Sequence, residues 1–188
     1  MSRKFKTADY EKTLDIEVKL REILPPEHQA RFIVDVIAML NLSAIYQQYS
    51  ELGAPPYAPE VLLGLLLYGY ITGVFSSRKI EQATYESIPF RYIAGGMHPD
   101  HDTIAVFRQQ FMGELKDLFV QVLMIAETMG HLTLGNVSLD GSKIHADASK
   151  SKAVSYKRLL ELEAFLQKEV EELFALAEAA EGDNCRQG

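Results

Sequence analysis

The sequence predicts a mainly α-helical protein: a helical N-terminal domain, then a β-hairpin, then a long C-terminal helix. Three observations lead to that reading. Apolar residues recur at spacings of three and four through most of the chain up to Gly130, the period of an amphipathic helix. The period changes at Asn136, where two short β-prone runs flank a Gly-Ser pair. After Ser155 helical spacing returns, now among many glutamates. The resulting segments are a helical arm over 1–24, a helical domain over 25–130, a hairpin over 131–154, and an amphipathic helix with a frayed tail over 155–188.

Taken in order, Leu14, Val18 and Ile23 share a face of the arm, which stops at Pro25-Pro26. Pro26 suits the first turn of the next helix, where a missing N–H costs nothing. That helix carries the stripe Phe32, Val36, Ile37 and Leu40, and Ser43 is the expected N-cap of a short helix through Tyr49. Gly53 to Pro59 is a loop by composition. Pro59-Glu60 opens an apolar helix through Val74, the core helix of the domain. Ser76-Ser77 separates it from a polar helix running from Arg78 to about Glu86, and a short segment from Pro89 to Ala94 ends at Gly95-Gly96. Asp102 is placed to cap one long helix with Ile104, Phe107, Phe111, Leu115, Leu118, Val122 and Ile125 on one side.

Asn136 to Asp140 and Lys143 to Ala146 then read as hairpin strands around Gly141-Ser142. The last helix, to about Ala180, keeps a narrow stripe of Leu162, Leu166, Val170, Leu173 and Ala177. In a whole protein that stripe would pack on a catalytic domain or a second subunit; alone it would be exposed.

Composition narrows the classes. An apolar fraction of 47% with 24% charged residues is that of a globular chain, which argues against wholesale disorder. A single cysteine, Cys185, supplies no disulfide framework and fits a reducing, cytoplasmic setting. The first ten residues are not a signal peptide. The most apolar run, Val61 to Phe75, holds three glycines and falls short of the roughly 20 residues that span a bilayer. The net charge of −7 is awkward for nucleic acid, but residues 155–188 alone carry eight acidic and four basic side chains. Between Gly141 and Arg158 the balance reverses, with Lys143, Lys150, Lys152, Lys157 and Arg158 against Asp147.

The string from Val137 to Ser149, VSLDGSKIHADAS, is the most informative. A carboxylate at the end of a short strand, followed at once by glycine, is held rigidly yet exposed, which suits a divalent-metal ligand. One carboxylate binds such an ion weakly, and on spacing alone Asp140-Gly141 is better read as a hairpin turn.

Longer strings carry more weight: PPEHQARF, LSAIY, the run from Pro55 to Gly96, HPDHDTIAVFR, and LGNVSLDGSKIHADASK. Together they resemble the helical N-terminal region of insertion-sequence DDE transposases of the InsH-like type, over Pro25 to Lys150. The resemblance implies that the LDGSK segment opens an RNase H-like catalytic domain, with Asp140 as the first member of an Asp-Asp-Glu triad. It further implies two Mg²⁺ ions on three carboxylates, activating water and then a 3′-hydroxyl for in-line attack on DNA phosphodiesters. Transposon-end DNA is the implied partner, a homo-oligomer the implied full-length assembly, and the nucleoid of a bacterial cytoplasm the implied location, with no membrane role.

The pattern is incomplete. Asp147 lies too close to Asp140 to be the second aspartate, and the glutamates from Glu161 to Glu181 sit on a solvated helical face. The chain is therefore expected to be a truncated, catalytically incomplete fragment, inactive alone, and whether it counts as an enzyme stays open.

Two further groups of polar residues offer candidate sites. His98-Pro-Asp-His-Asp102 tempts a zinc reading, but no Cys pair or second ligand segment supports it, and a turn with a helix cap is the better use. The helices around Arg78-Lys79 and Asp102–Arg108 form a candidate helix-turn-helix-like unit, with Arg78, Lys79, Arg91 and Arg108 as DNA contacts, joined by Lys143. Against this, Glu81, Glu86, Asp100 and Asp102 balance the four basic residues of 76–110. Tyr68, Tyr70, Phe75, Tyr85, Phe90 and Tyr92 read as core or half-core, not as a base-stacking platform. The rival function is a non-catalytic helical interaction or oligomerisation module without DNA binding.

Overall fold

The computed structural model describes residues 19–49, 56–130 and 156–184. Their helices are α1 (Leu20–Ile23), α2 (Gln29–Ile37), α3 (Ser43–Tyr46), α4 (Pro59–Ile71), α5 (Ser77–Glu86), α6 (Ile88–Ile93), α7 (His101–Gln110), α8 (Met112–Thr128) and α9 (Tyr156–Asn184).

α4 is the central post. Every residue from Leu62 to Tyr70 is buried, so the helix has no polar face, and α2, α5, α6 and α7 all pack on it. Two glycines permit that crowding. A Cβ on Gly64 would stand 2.8 Å from Ile93 Cγ2, and one on Gly69 would stand 2.8 Å from the carbonyl oxygen of Val74. The second contact arises because the chain turns sharply at Gly73, with φ +78°, and the Val74 N–H donates to the Gly69 carbonyl at 2.7 Å. With Gly73 N–H donating to the Tyr70 carbonyl, this is a Schellman ending, which favours glycine at the left-handed position. Among the described residues no helix is long and apolar enough to cross a membrane.

Several expected helix starts move. α2 begins at Gln29, because Pro25 to His28 closes a turn and the Ala30 N–H donates to His28 Nδ1 at 3.1 Å. Ser43 lies inside α3, and the Asn41 side chain accepts from its N–H and hydroxyl. Asp100, not Asp102, caps α7, accepting from the Thr103 N–H at 2.8 Å. The single long helix expected after Asp102 breaks at Phe111, whose φ of −111° and ψ of 24° separate α7 from α8. The break lets α7 pack on α5 while α8 turns toward α2 and α9.

The fold-class expectation requires correction. Helix is the regular structure found among the described residues, and no β-strand occurs among them, so a helical domain leading into the β-hairpin of an RNase H-like domain is not the architecture found. The runs behind that expectation lie at 131–154, outside the described residues. The physical weakness was local: a two-stranded hairpin is marginal without a third strand or a covering helix, and β-prone spacing alone supplies neither.

α9 is also placed differently from the exposed helix expected of it. Leu166, Val170, Phe174 and Ala177 are buried in the same core as α2, α4 and α8. Phe174 closes an aromatic trio, its ring centroid 5.5 Å from Tyr70 on α4 and 5.2 Å from Phe119 on α8, both edge-on. Edge-to-face contacts of this kind add to the area the rings bury. Lys116 on α8 pairs with Glu171 on α9 at the rim of that seam.

Candidate nucleic-acid interface

α5, α6 and α7 form a unit outside the central post. α5 buries Ser77, Ile80 and Thr84, positions three and four apart, and exposes Arg78, Lys79, Gln82, Tyr85 and Glu86 on the opposite side. α6 buries Phe90 and Ile93 and exposes Arg91. α7 buries Ile104, Phe107 and Arg108, leaving Asp102, Val106, Gln109 and Gln110 outside.

The HPDHD string holds this unit together. Glu81 Oε2 accepts from both the backbone N–H of His101, at 3.1 Å, and its Nδ1, at 2.7 Å, so one carboxylate of α5 fixes the first residue of α7. One turn on, Thr84 Oγ1 lies 2.9 Å from His98 Nδ1. The His98 ring stacks on Tyr85 at 3.8 Å and 9°. Pro99 is buried between these contacts and Asp100, whose two carboxylate oxygens accept from the Thr103 N–H and hydroxyl. Those two bonds hold the Asp100 carboxyl below the ordinary carboxylate value. The string is thus a polar clamp between two helices. Among the described residues no group of three or more His, Cys, Asp or Glu side chains could hold a metal ion.

The unit keeps the near-neutral charge count read from its sequence, with Asp102 exposed. Glu81 and Asp100 are engaged in fixing α7, and Glu86 accepts from Gln82 at 2.8 Å. Arg78, Lys79 and Arg91 are exposed, and none is ion-paired with an acidic side chain among the described residues.

Arg108 does not share that surface. It is 2% exposed, with Nη1 3.4 Å from Glu181 Oε1 of α9, and the same oxygen accepts from the Ser77 N–H at 2.6 Å. Asp140 and Lys143 lie outside the described residues. Of the aromatic residues, Tyr68, Tyr70 and Phe90 are buried and Phe75 and Tyr92 partly so, whereas Tyr85 is 57% exposed. Tyr85 and His98 were missed as a pair. The signal that could have found them is an aromatic on the polar face of α5, where burial cannot explain it.

Residues 18–110 match the family profile of a transposase domain (DUF772). This stretch, just under half of the chain, is similar to a transposase domain. It takes in α1 to α7, hence the clamp and all three exposed cations, and it ends before Asp140. No curated protein and no solved structure matches the chain.

Proposed function

We propose that the transposase domain binds transposon-end DNA, with Arg78 and Lys79 on the first turn of α5 and Arg91 on α6 contacting backbone phosphates. The observation that carries this reading is the set of three exposed cations with no acidic partner among the described residues, on a unit in which Glu81 and Asp100 are held in the clamp. Phosphate contacts of this type set affinity and register, and sequence readout comes from other groups. The transposase-domain match favours this over a helical module with no DNA role. α9 weighs the same way, because the stripe that such a module would use for self-association is packed in the chain's own core.

We assign the full-length protein to the DDE type, with Asp140 as its first Mg²⁺-binding carboxylate, Lys143 near the DNA, and homo-oligomeric assembly. The resemblance of the LDGSK segment to that family supports this assignment.

The test is the binding of the purified chain to a labelled duplex of the element's end, followed by fluorescence anisotropy over a series of salt concentrations. The expected result is an affinity that falls linearly on a log-log plot, with a slope of about −0.9 per phosphate neutralised. Absence of binding at low salt, or binding indifferent to salt, would contradict the proposal.

A further inference from the structure

The N-terminus of α5 is satisfied in an unusual way. Ser76, its N-cap, makes no side-chain cap bond, and the Ser77 N–H donates instead to a carboxylate from the far end of α9, that of Glu181. Around that carboxylate the protein gathers more donors than one carboxylate uses. Arg108 Nε and Ser77 Oγ are buried and without a hydrogen-bond partner among the described residues, Arg108 Nη1 reaches Glu181 only at 3.4 Å, and the buried Tyr70 hydroxyl faces Arg108. Burial pushes the Tyr70 hydroxyl up from its ordinary value, opposed by hydrogen bonding to Arg108 and by its charge, and reinforced by Glu181 and Glu178. A buried polar group left unbonded costs free energy, so a cluster of several needs a reason.

A helix N-terminus with an arginine and two hydroxyls is a donor set for a tetrahedral oxyanion, which offers more acceptor oxygens than a carboxylate. Glu181 is a displaceable occupant on three counts. Its side chain is 23% exposed, so the site opens to solvent on that side. Gly182 follows it, and glycine weakens the last turn of a helix. The apolar anchors of α9, from Leu166 to Ala177, lie before it, so the last turn can leave while the rest stays docked.

We propose that Arg108, the Ser77 N–H and hydroxyl, and the Tyr70 hydroxyl form a phosphate-binding site, occupied here by the Glu181 carboxylate as an internal stand-in. A DNA backbone phosphate is the ligand that fits its setting, since Arg78 and Lys79 follow Ser77 directly on α5. That choice of source rests on the DNA-binding reading; the site itself does not. Arg108 thereby has a part in DNA binding only when the end of α9 withdraws, and α9 competes with DNA for the start of α5.

The test uses the full chain carrying Glu181→Gln, which keeps an acceptor for the Ser77 N–H but leaves the Arg108 charge unbalanced. Inorganic phosphate is the probe, and thermal unfolding is the readout. Glu181→Gln is expected to gain a saturable phosphate-dependent rise in Tm, with phosphate binding about tenfold or more tighter than in wild type, the scale of one charge-assisted hydrogen bond. Glu178→Gln, an equal charge change on the same helix, should gain nothing, and adding Arg108→Met to Glu181→Gln should abolish the response. If Glu181→Gln is unfolded in phosphate-free buffer, refolding on addition of phosphate supports the site and failure to refold overturns it. A folded Glu181→Gln protein that ignores phosphate also overturns it, leaving Glu181 as a structural cap. Anisotropy with duplex DNA then separates the sources. Affinity raised beyond that of Glu178→Gln names the DNA backbone, and unchanged affinity names free phosphate. Wild-type protein that binds no DNA defeats the proposed function while leaving the phosphate response intact.

Discussion

The seam of α4, α8 and α9 and the clamp of α5, α6 and α7 are held together by different physics. In the seam, Phe174 meets Tyr70 and Phe119 edge-on, those two rings are tilted against each other, and aliphatic side chains fill much of the surrounding core, so stability scales with the area removed from water. In the clamp the fixing contacts are polar: Glu81 on His101, Thr84 beside His98, Asp100 on Thr103. Apolar packing is tolerant of exact partners, whereas a carboxylate on an imidazole fixes one register and one helix orientation. The difference teaches where each kind of specification is used. The seam makes the domain stable, and the clamp fixes α7 against α5, the helix that exposes Arg78 and Lys79.

Substitutions should separate the two. Phe174→Ala removes the centre of the seam and is expected to cost about 3–5 kcal/mol, read as a lower urea midpoint. A loss below about 1 kcal/mol would mean that α9 contributes little to the fold. Gly69→Ala comes next, at roughly 1–3 kcal/mol, because its Cβ would press on the Val74 carbonyl oxygen and on Ile80 Cδ1, 3.1 Å away. Unaltered thermal stability in that variant would show that the turn after α4 yields freely.

The clamp variants should be milder in stability. Glu81→Ala strips two bonds from His101 at a half-buried site and is expected to cost about 1–2 kcal/mol. Amide exchange should rise at the start of α7 while the seam keeps its protection; uniform loss across the molecule would break the distinction drawn here. Asp100→Ala removes a cap at about 1 kcal/mol near neutral pH. Its sign with pH follows from the lowered carboxyl. The ionised form is the one bonded in the folded state, so the contribution is present above the ordinary carboxylate value of 3.8 and is lost as pH falls through the lower folded value. The wild-type and Asp100→Ala stability curves should therefore converge in strong acid, and parallel curves would show that the cap does not depend on charge.

The seam was more legible in the sequence than the clamp. The unbroken apolar run of α4 has one physical outcome, a buried helix, and the stripe of α9 named Leu166, Val170 and Ala177 as its inner face. Phe174, not Leu173, fills the centre, a one-residue choice that periodicity does not make. The break at Phe111 was hidden because Phe107, Phe111 and Leu115 continue the same spacing across it. In the clamp, the two acidic residues flanking His101 could each cap α7, and the choice of Asp100 depends on Glu81 gripping His101 from another helix. Arg108 looked like its fellow cations because its partner, Glu181, lies far along the chain. The alternating runs that carry the β reading lie at 131–154, outside the described residues.

The central claim, that three exposed cations on α5 and α6 contact DNA, is tested most directly by Arg78→Ala, Lys79→Ala and Arg91→Ala combined in one chain. These side chains are exposed, so unfolding stability should stay within about 0.5 kcal/mol per substitution. The measurement is DNA affinity against salt for this protein beside the wild type. Three lost phosphate contacts should make the log-log slope shallower by roughly 2.7, at about 0.9 each. Parallel lines for the two proteins would contradict the account and move the DNA surface elsewhere.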